Sequence, residues 1–165
     1  MTTREALLPH LAAVAAAQRK PDQPAALFAA LDAALAVTVG HKLFTILVIH
    51  KGATESQRYY SNQPAAYPIG GRKPITDSDW FRRVVHGGEP WIGNTYQDVA
   101  WAFYDHELIR SLGCESALNV PVRWEGRTLG TLNLLHQEGW YTEADAATAQ
   151  LFAALAVPGL LRIIK

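Results

Sequence analysis

The run SALNVPVRW-EG-RTLGTLNLLH, residues 116–136, constrains this chain more than any other stretch. Two apolar, β-branched segments flank Glu125-Gly126, a two-residue turn with glycine second, and that pattern predicts a β-hairpin. Setting Trp124 opposite Arg127 fixes which side chains share a face, because alternate residues point to opposite sides of a sheet. One face then carries Ser116, Leu118, Val120, Thr131, Asn133 and Leu135. A few polar groups set among aliphatic walls are what a small-molecule site needs. The other face carries Ala117, Asn119, Gly130, Leu132, Leu134 and His136, small and aliphatic, with a glycine that lets a helix come close. A slip of one residue exchanges the two faces.

The remaining elements follow from local pattern. Residues 3–19 read as a first helix, with Leu7, Leu8, Leu11 and Val14 at helical spacing. Pro24 suits the first turn of a second helix, Leu27, Phe28, Leu31 and Leu35 form its stripe, and Gly40 suits its exit. KLFTILVIH, residues 42–50, is nearly unbroken by polar residues and predicts a central strand covered on both faces. QRYYSN is shorter and mixed, as at a sheet edge. PAAYPIGGRKPITD, with three prolines and two glycines, predicts a long loop outside any ladder. Asp77 or Ser78 can cap a helix through WFRRVVHGG; EPWIGN reads as a short strand, and residues 96–112 as one helix ended by Gly113. Thr142 caps a last helix from about 143 to 164, with Glu143 and Asp145 in its first turn and Pro158 bending it or ending its regular part. The predicted fold is α+β: a largely antiparallel sheet of about five to six strands with helices on both faces.

Composition narrows the function classes. The 165 residues suit an N-terminal helix over 1–20, available for dimerisation, and a single domain over 22–165. A formal net charge of zero argues against a nucleic-acid partner, which needs a basic patch. No apolar stretch approaches the ~20 residues of a membrane span, so no membrane partner is expected. LAAVAAA, residues 11–17, fits an amphipathic helix better than a signal peptide, given Glu5, Pro9 and His10 before it. A single cysteine forms no internal disulfide and fits a reducing, cytoplasmic setting.

Element order and motif together resemble the GAF domain family, relatives of the PAS fold. The resemblance rests on Ser116-Ala117-Leu118-Asn119-Val120-Pro121-Val122, the turn at Gly126, Leu129-Gly130-Thr131-Leu132, and Tyr141 with Asp145 opening the last helix. It extends from about residue 22 onward. YSNQPAAYPIGGRKP, WAFYDHELIRSLGCESALNVPVRW and LGTLNLLHQEGWY are similar to small stand-alone bacterial GAF proteins. The resemblance implies a sensor module whose pocket lies between the sheet and the helices and loops crossing it, here without an attached output domain. The apolar first and last helices can pack as a bundle between protomers, a homodimer that the resemblance also implies.

For the second wall of such a pocket, aromatic and polar residues crowd into the middle of the chain. Trp80, Trp91, Trp101 and Tyr104 offer stacking surfaces, and Asn94 and Asp105 offer polar groups. Arg72 or Lys73 can hold a carboxylate or phosphate. With Ser116, Leu118, Thr131 and Asn133 they make up the candidate ligand-binding set.

The signals for catalysis are weaker. Cys114 follows a helix C-terminus and precedes Glu115, and both disfavour a thiolate. GAF-type free-methionine sulfoxide reductases use several cysteines, and this chain has one. Its histidines show no metal-ligand spacing. The Asn-Lys and Phe-x-x-x-Asp-Glu pattern of cyclic-nucleotide GAF domains is not matched at Asn94 or at Phe103–Glu107. The sequence names no cofactor. The leading expectation is a module binding a small anionic organic ligand. The alternatives are an enzyme using Asp105 or His106 as acid-base, and a ligand-free interaction domain.

Overall fold

A computed structural model describes residues 4–50 and 52–164. Two helices open the chain, α1 (Arg4–Ala17) and α2 (Ala25–Thr38). Strands β1 (Leu43–Ile49), β2 (Glu55–Ser61) and β3 (Arg72–Pro74) follow, then a short helix α3 (Asp79–Phe81) that continues as a π-helical turn over Arg82–His86. After β4 (Trp91–Gly93) come α4 (Tyr96–Ala102) and α5 (His106–Ser111). The hairpin β5 (Ser116–Trp124) and β6 (Arg127–His136) leads to α6 (Glu143–Ile163).

The strands form one antiparallel six-stranded sheet in the order β3-β2-β1-β6-β5-β4. This is the α+β sheet with helices on both faces that the pattern predicts. One layer consists of α1, α2 and α6. Phe28 and Leu31 of α2, and Phe152, Ala156 and Leu160 of α6, pack on Phe44, Ile46, Val120 and Leu132 of the sheet. Burial of such side chains contributes ~1.5–3 kcal/mol each, so this layer dominates the core. Gly130 marks its tightest point, since a Cβ there would lie 2.0 Å from the Leu47 carbonyl oxygen and 2.6 Å from Leu160 Cδ2.

α6 starts with a capping box: the Thr142 hydroxyl accepts from the Asp145 amide, and the Asp145 carboxylate accepts from the Thr142 amide. It runs on through Pro158 to Ile163. It is long and apolar enough to cross a bilayer, against the expectation drawn from the sequence, but half of its most apolar window is buried inside this domain. α1 lies on the same layer, with Val14 buried and the Gln18 side chain donating to the Leu155 carbonyl at 2.7 Å.

Three local expectations are corrected. The proline-rich loop does enter the sheet, through the three-residue strand β3 paired with Glu55–Gln57. β2 is therefore not the edge. Residues 96–112 form two helices, because Phe103 is extended at φ −129° and ψ 127° and breaks the run. The hairpin turn is as predicted, with Glu125 and Gly126 both at positive φ (50° and 74°), the conformation a two-residue hairpin loop requires.

Candidate functional site

The second face of the sheet is covered by β3 and its loop, α3 with its π-turn, and the junction of α4 with α5. Between these covers and β1, β2 and β6 lies a cavity of about 250 Å³. Its walls are largely apolar, with Leu43, Leu47, Ile75, Phe81, Phe103 and Ile109 among them. Polar groups line the sheet floor at Thr45, Thr131 and Asn133, and further out at Ser56, Arg58, Lys73 and Asp105.

The hairpin supplies half of this floor as expected and half differently. Thr131, Asn133 and Leu135 of β6 line the cavity. Their opposite partners on β5 are Pro121, Asn119 and Ala117. A bulge between Val122 and Arg123 leaves Leu129 of β6 without an opposite residue and advances the register by one. Ser116 and Leu118 therefore do not face the cavity. Ser116 is buried and donates to the carbonyls of His136 (3.2 Å) and Gln137 (2.7 Å), and Leu118 packs in the α6 core. Asn119 lies on the cavity side of the sheet instead, bonded to Asn133 but outside the cavity wall.

Beside the cavity a directional hydrogen-bond chain forms. Trp80 Nε1 donates to Asn119 Oδ1 (3.0 Å), Asn119 Nδ2 to Asn133 Oδ1 (2.7 Å), and Asn133 Nδ2 to Thr45 Oγ1 (3.2 Å). Each amide is used at both ends, so its orientation is set. Thr131 is the exception. It is fully buried, and its hydroxyl has no partner.

β2 contributes a residue that sequence reasoning missed. Leu47 pairs with Arg58 but Ile46 pairs with Tyr60, so a bulge at Tyr59 breaks the alternation. Arg58 is thereby turned to the cavity, whereas Tyr60 points to α2 and donates to Asp32 at 2.6 Å. The Arg58 guanidinium stacks 4.1 Å over the Tyr67 ring, and Nη1 donates to the Pro68 carbonyl (2.9 Å). Its Nε is buried without a partner. Among the described residues no carboxylate forms a salt bridge with it.

At the mouth, Tyr67 donates to the Asp105 carboxylate and Lys73 to the Tyr104 hydroxyl. Burial and the Asp105 carboxylate push the Tyr67 hydroxyl well up, which keeps it a proton donor. An adjoining groove of about 400 Å³ shares Arg58, Tyr67, Lys73, Tyr104 and Asp105 with the cavity.

Of the expected ligand-binding residues, Lys73, Trp80, Tyr104, Asp105, Thr131 and Asn133 come together at the cavity. Arg72 does not, because it is drawn to Glu55 on the surface at 3.3 Å. Asn94 is exposed beyond β4. Trp91 packs against Phe103 and Trp101 outside the cavity, and Trp101 is 56% exposed. The catalytic alternatives find little geometry. His106 Nδ1 bonds the Tyr96 hydroxyl (2.7 Å) away from the cavity, and the Asp105 carboxylate accepts from Tyr67. Cys114 is buried, and burial pushes its thiol up to about 11 despite the nearby Lys42 charge.

Curated protein sequences compared with this chain give no match. Solved structures do match its fold. One is the GAF domain of a phosphoenolpyruvate-protein phosphotransferase from Coxiella burnetii, 15% identical, with 94% of this chain and 93% of that chain covered and a TM-score of 0.75. The corresponding Acinetobacter domain is 12% identical, over 97% and 95%, with a TM-score of 0.75. A free methionine-R-sulfoxide reductase from Neisseria meningitidis, solved with its substrate, is 20% identical, over 96% and 87%, with a TM-score of 0.69. A family model described as GAF domain matches residues 22–160, and with that match the chain belongs to the GAF domain family.

Proposed function

We propose that the chain is a regulatory binding module whose ligand is a small organic anion held in the sheet-face cavity. One observation carries this reading: Arg58 Nε and the Thr131 hydroxyl, two buried donors, both belong to residues lining this cavity, and neither has a partner. Leaving a buried donor unpaired costs ~1–3 kcal/mol, and more if it is charged, so both favour an occupant that brings acceptors. A carboxylate or similar oxyanion matches a guanidinium best, with Lys73 close by. The aliphatic and aromatic walls suit a carbon skeleton. At about 30 Å³ per water, the cavity holds the volume of about eight waters, which favours a small metabolite. The Neisseria meningitidis reductase was solved with its substrate, so the same fold accommodates a small molecule elsewhere.

The test is titration calorimetry with small carboxylates first selected by thermal shift, run on the wild type and on Arg58→Gln. A charge-assisted hydrogen bond contributes ~1.5–3 kcal/mol, so the variant should bind about 10- to 100-fold more weakly. Equal affinity in Arg58→Gln refutes the assignment.

Self-association through the terminal helices and a cytoplasmic location are further proposals. Leu8 of α1 and Leu151 of α6, 63% and 49% exposed, support the first. A monomer in sedimentation at micromolar concentration refutes it. Fractionation of cells tests the second, and recovery with membranes refutes it.

A further inference from the structure

A second cavity, of about 310 Å³, lies at the end of the sheet where the β1–β2 turn meets the β5–β6 turn. Arg123, Arg127, His50 and His86 line it, with the Gly52 and Gly126 turns, and among the described residues no Asp or Glu does. Among the described residues neither arginine forms a salt bridge. Arg123 is held in place on two sides. Its Nη1 donates to Thr128 Oγ1 (2.9 Å), which in turn donates to the Val85 carbonyl (2.7 Å). Its guanidinium lies over Gly88, where an added Cβ would come within 2.8 Å of Cζ. Arg127 is exposed and adjacent to Thr128 on the strand, so the pleat turns it away from Arg123. Arg123 is the positioned guanidinium, and without a counter-charge it suits an anion.

His50 narrows the class of anion. It is only 6% exposed. Gln57 Nε2 donates to the Gly70 carbonyl (3.0 Å), which sets the amide so that Gln57 Oε1 accepts from His50 Nε2 (2.8 Å). In the neutral ring the proton is then on Nε2, and Nδ1 is an acceptor. Nδ1 is buried and has no partner. A site lined by a guanidinium donor and an imidazole acceptor suits an oxyanion that keeps a proton. Hydrogen phosphate matches both, with oxygens to accept from Arg123 and one P–OH to donate to Nδ1. We propose that this cavity binds phosphate in its protonated form, separately from the organic anion proposed for the sheet-face cavity.

The probes are inorganic phosphate, methyl phosphate and sulfate, titrated at pH 7.5 and followed by amide chemical shifts. Inorganic phosphate should move Gly52, Gly126 and Thr128 and leave Thr45 and Asn133 in place. Sulfate, of the same shape and charge but without a proton, should bind at least tenfold more weakly. Arg123→Gln, at an exposed side chain, should weaken phosphate at least tenfold, and Arg72→Gln should not. Methyl phosphate, largely unprotonated at this pH, should bind like sulfate. If it equals inorganic phosphate at pH 7.5, the site takes phosphomonoesters irrespective of protonation and the proposed role of His50 is wrong. Sulfate matching phosphate, or shifts confined to the sheet-face cavity, overturns the proposal. Neither result touches the Arg58 test.

Discussion

Thr131→Val separates a binding residue from an ordinary core residue by the sign of its effect. Thr131 is fully buried on β6, opposite Leu47 and Pro121, and its hydroxyl has no partner. Valine keeps the shape and replaces the hydroxyl by a methyl. An unpaired buried hydroxyl costs ~1–3 kcal/mol, and an added buried methyl contributes up to ~0.8 kcal/mol. After discounting for a cavity that admits some water, the empty protein should gain about 1–2 kcal/mol. For a chain of this size that raises Tm by roughly 3–6 °C. Urea unfolding should show a higher midpoint with an unchanged slope. The same change removes one hydrogen bond to the ligand, worth ~0.5–1.5 kcal/mol, so affinity should fall about 2- to 10-fold. Stability up and affinity down is the expected pair. A loss of more than about 1 kcal/mol in the empty protein would mean that the hydroxyl is already satisfied, and the reasoning fails.

Further predictions concern the frame of the site. Gly130→Ala should cost about 3 kcal/mol or more, above the usual ~1–3 kcal/mol of overpacking, because the new Cβ meets the Leu47 carbonyl; near-native stability in urea unfolding would show that β1 and α6 can yield there. Asp32 sits below the ordinary carboxylate range: burial pushes it up, but hydrogen bonds from His41 and Tyr60 and the His41 charge outweigh that. A depressed carboxylate stabilises the fold above its unfolded value and loses that contribution as pH falls through the folded one. Wild-type urea midpoints should therefore drop below pH ~4 more steeply than those of Asp32→Asn, and parallel curves contradict the pairing. With its thiol pushed up to about 11 and buried, Cys114 should resist iodoacetamide at pH 8 in the native protein and react in urea. Rapid native labelling would reopen thiol chemistry.

Where local pattern decides structure, the sequence was readable. The hairpin turn, the α6 cap at Thr142 and the almost wholly buried β1 all rest on neighbouring residues. The site was less readable because two bulges, at Leu129 and at Tyr59, reset strand parity, and neither is announced by a proline or by polar spacing. The first exchanged Leu118 for Asn119, and the second turned Arg58 inward. Aromatic density pointed to the correct region but did not sort its members. Trp80 lines the cavity and Trp101 lies on the surface, although the two look alike in sequence. Arg72 and Lys73 are adjacent, so the pleat sends them to opposite sides, and only pairing with Glu55 reveals which one leaves.

Native mass spectrometry of the protein purified without denaturation tests the central claim most directly. The account predicts a small adduct on the wild type that is reduced or lost in Arg58→Gln. Wild type found only at its bare mass, with no thermal shift from any small carboxylate, would contradict it.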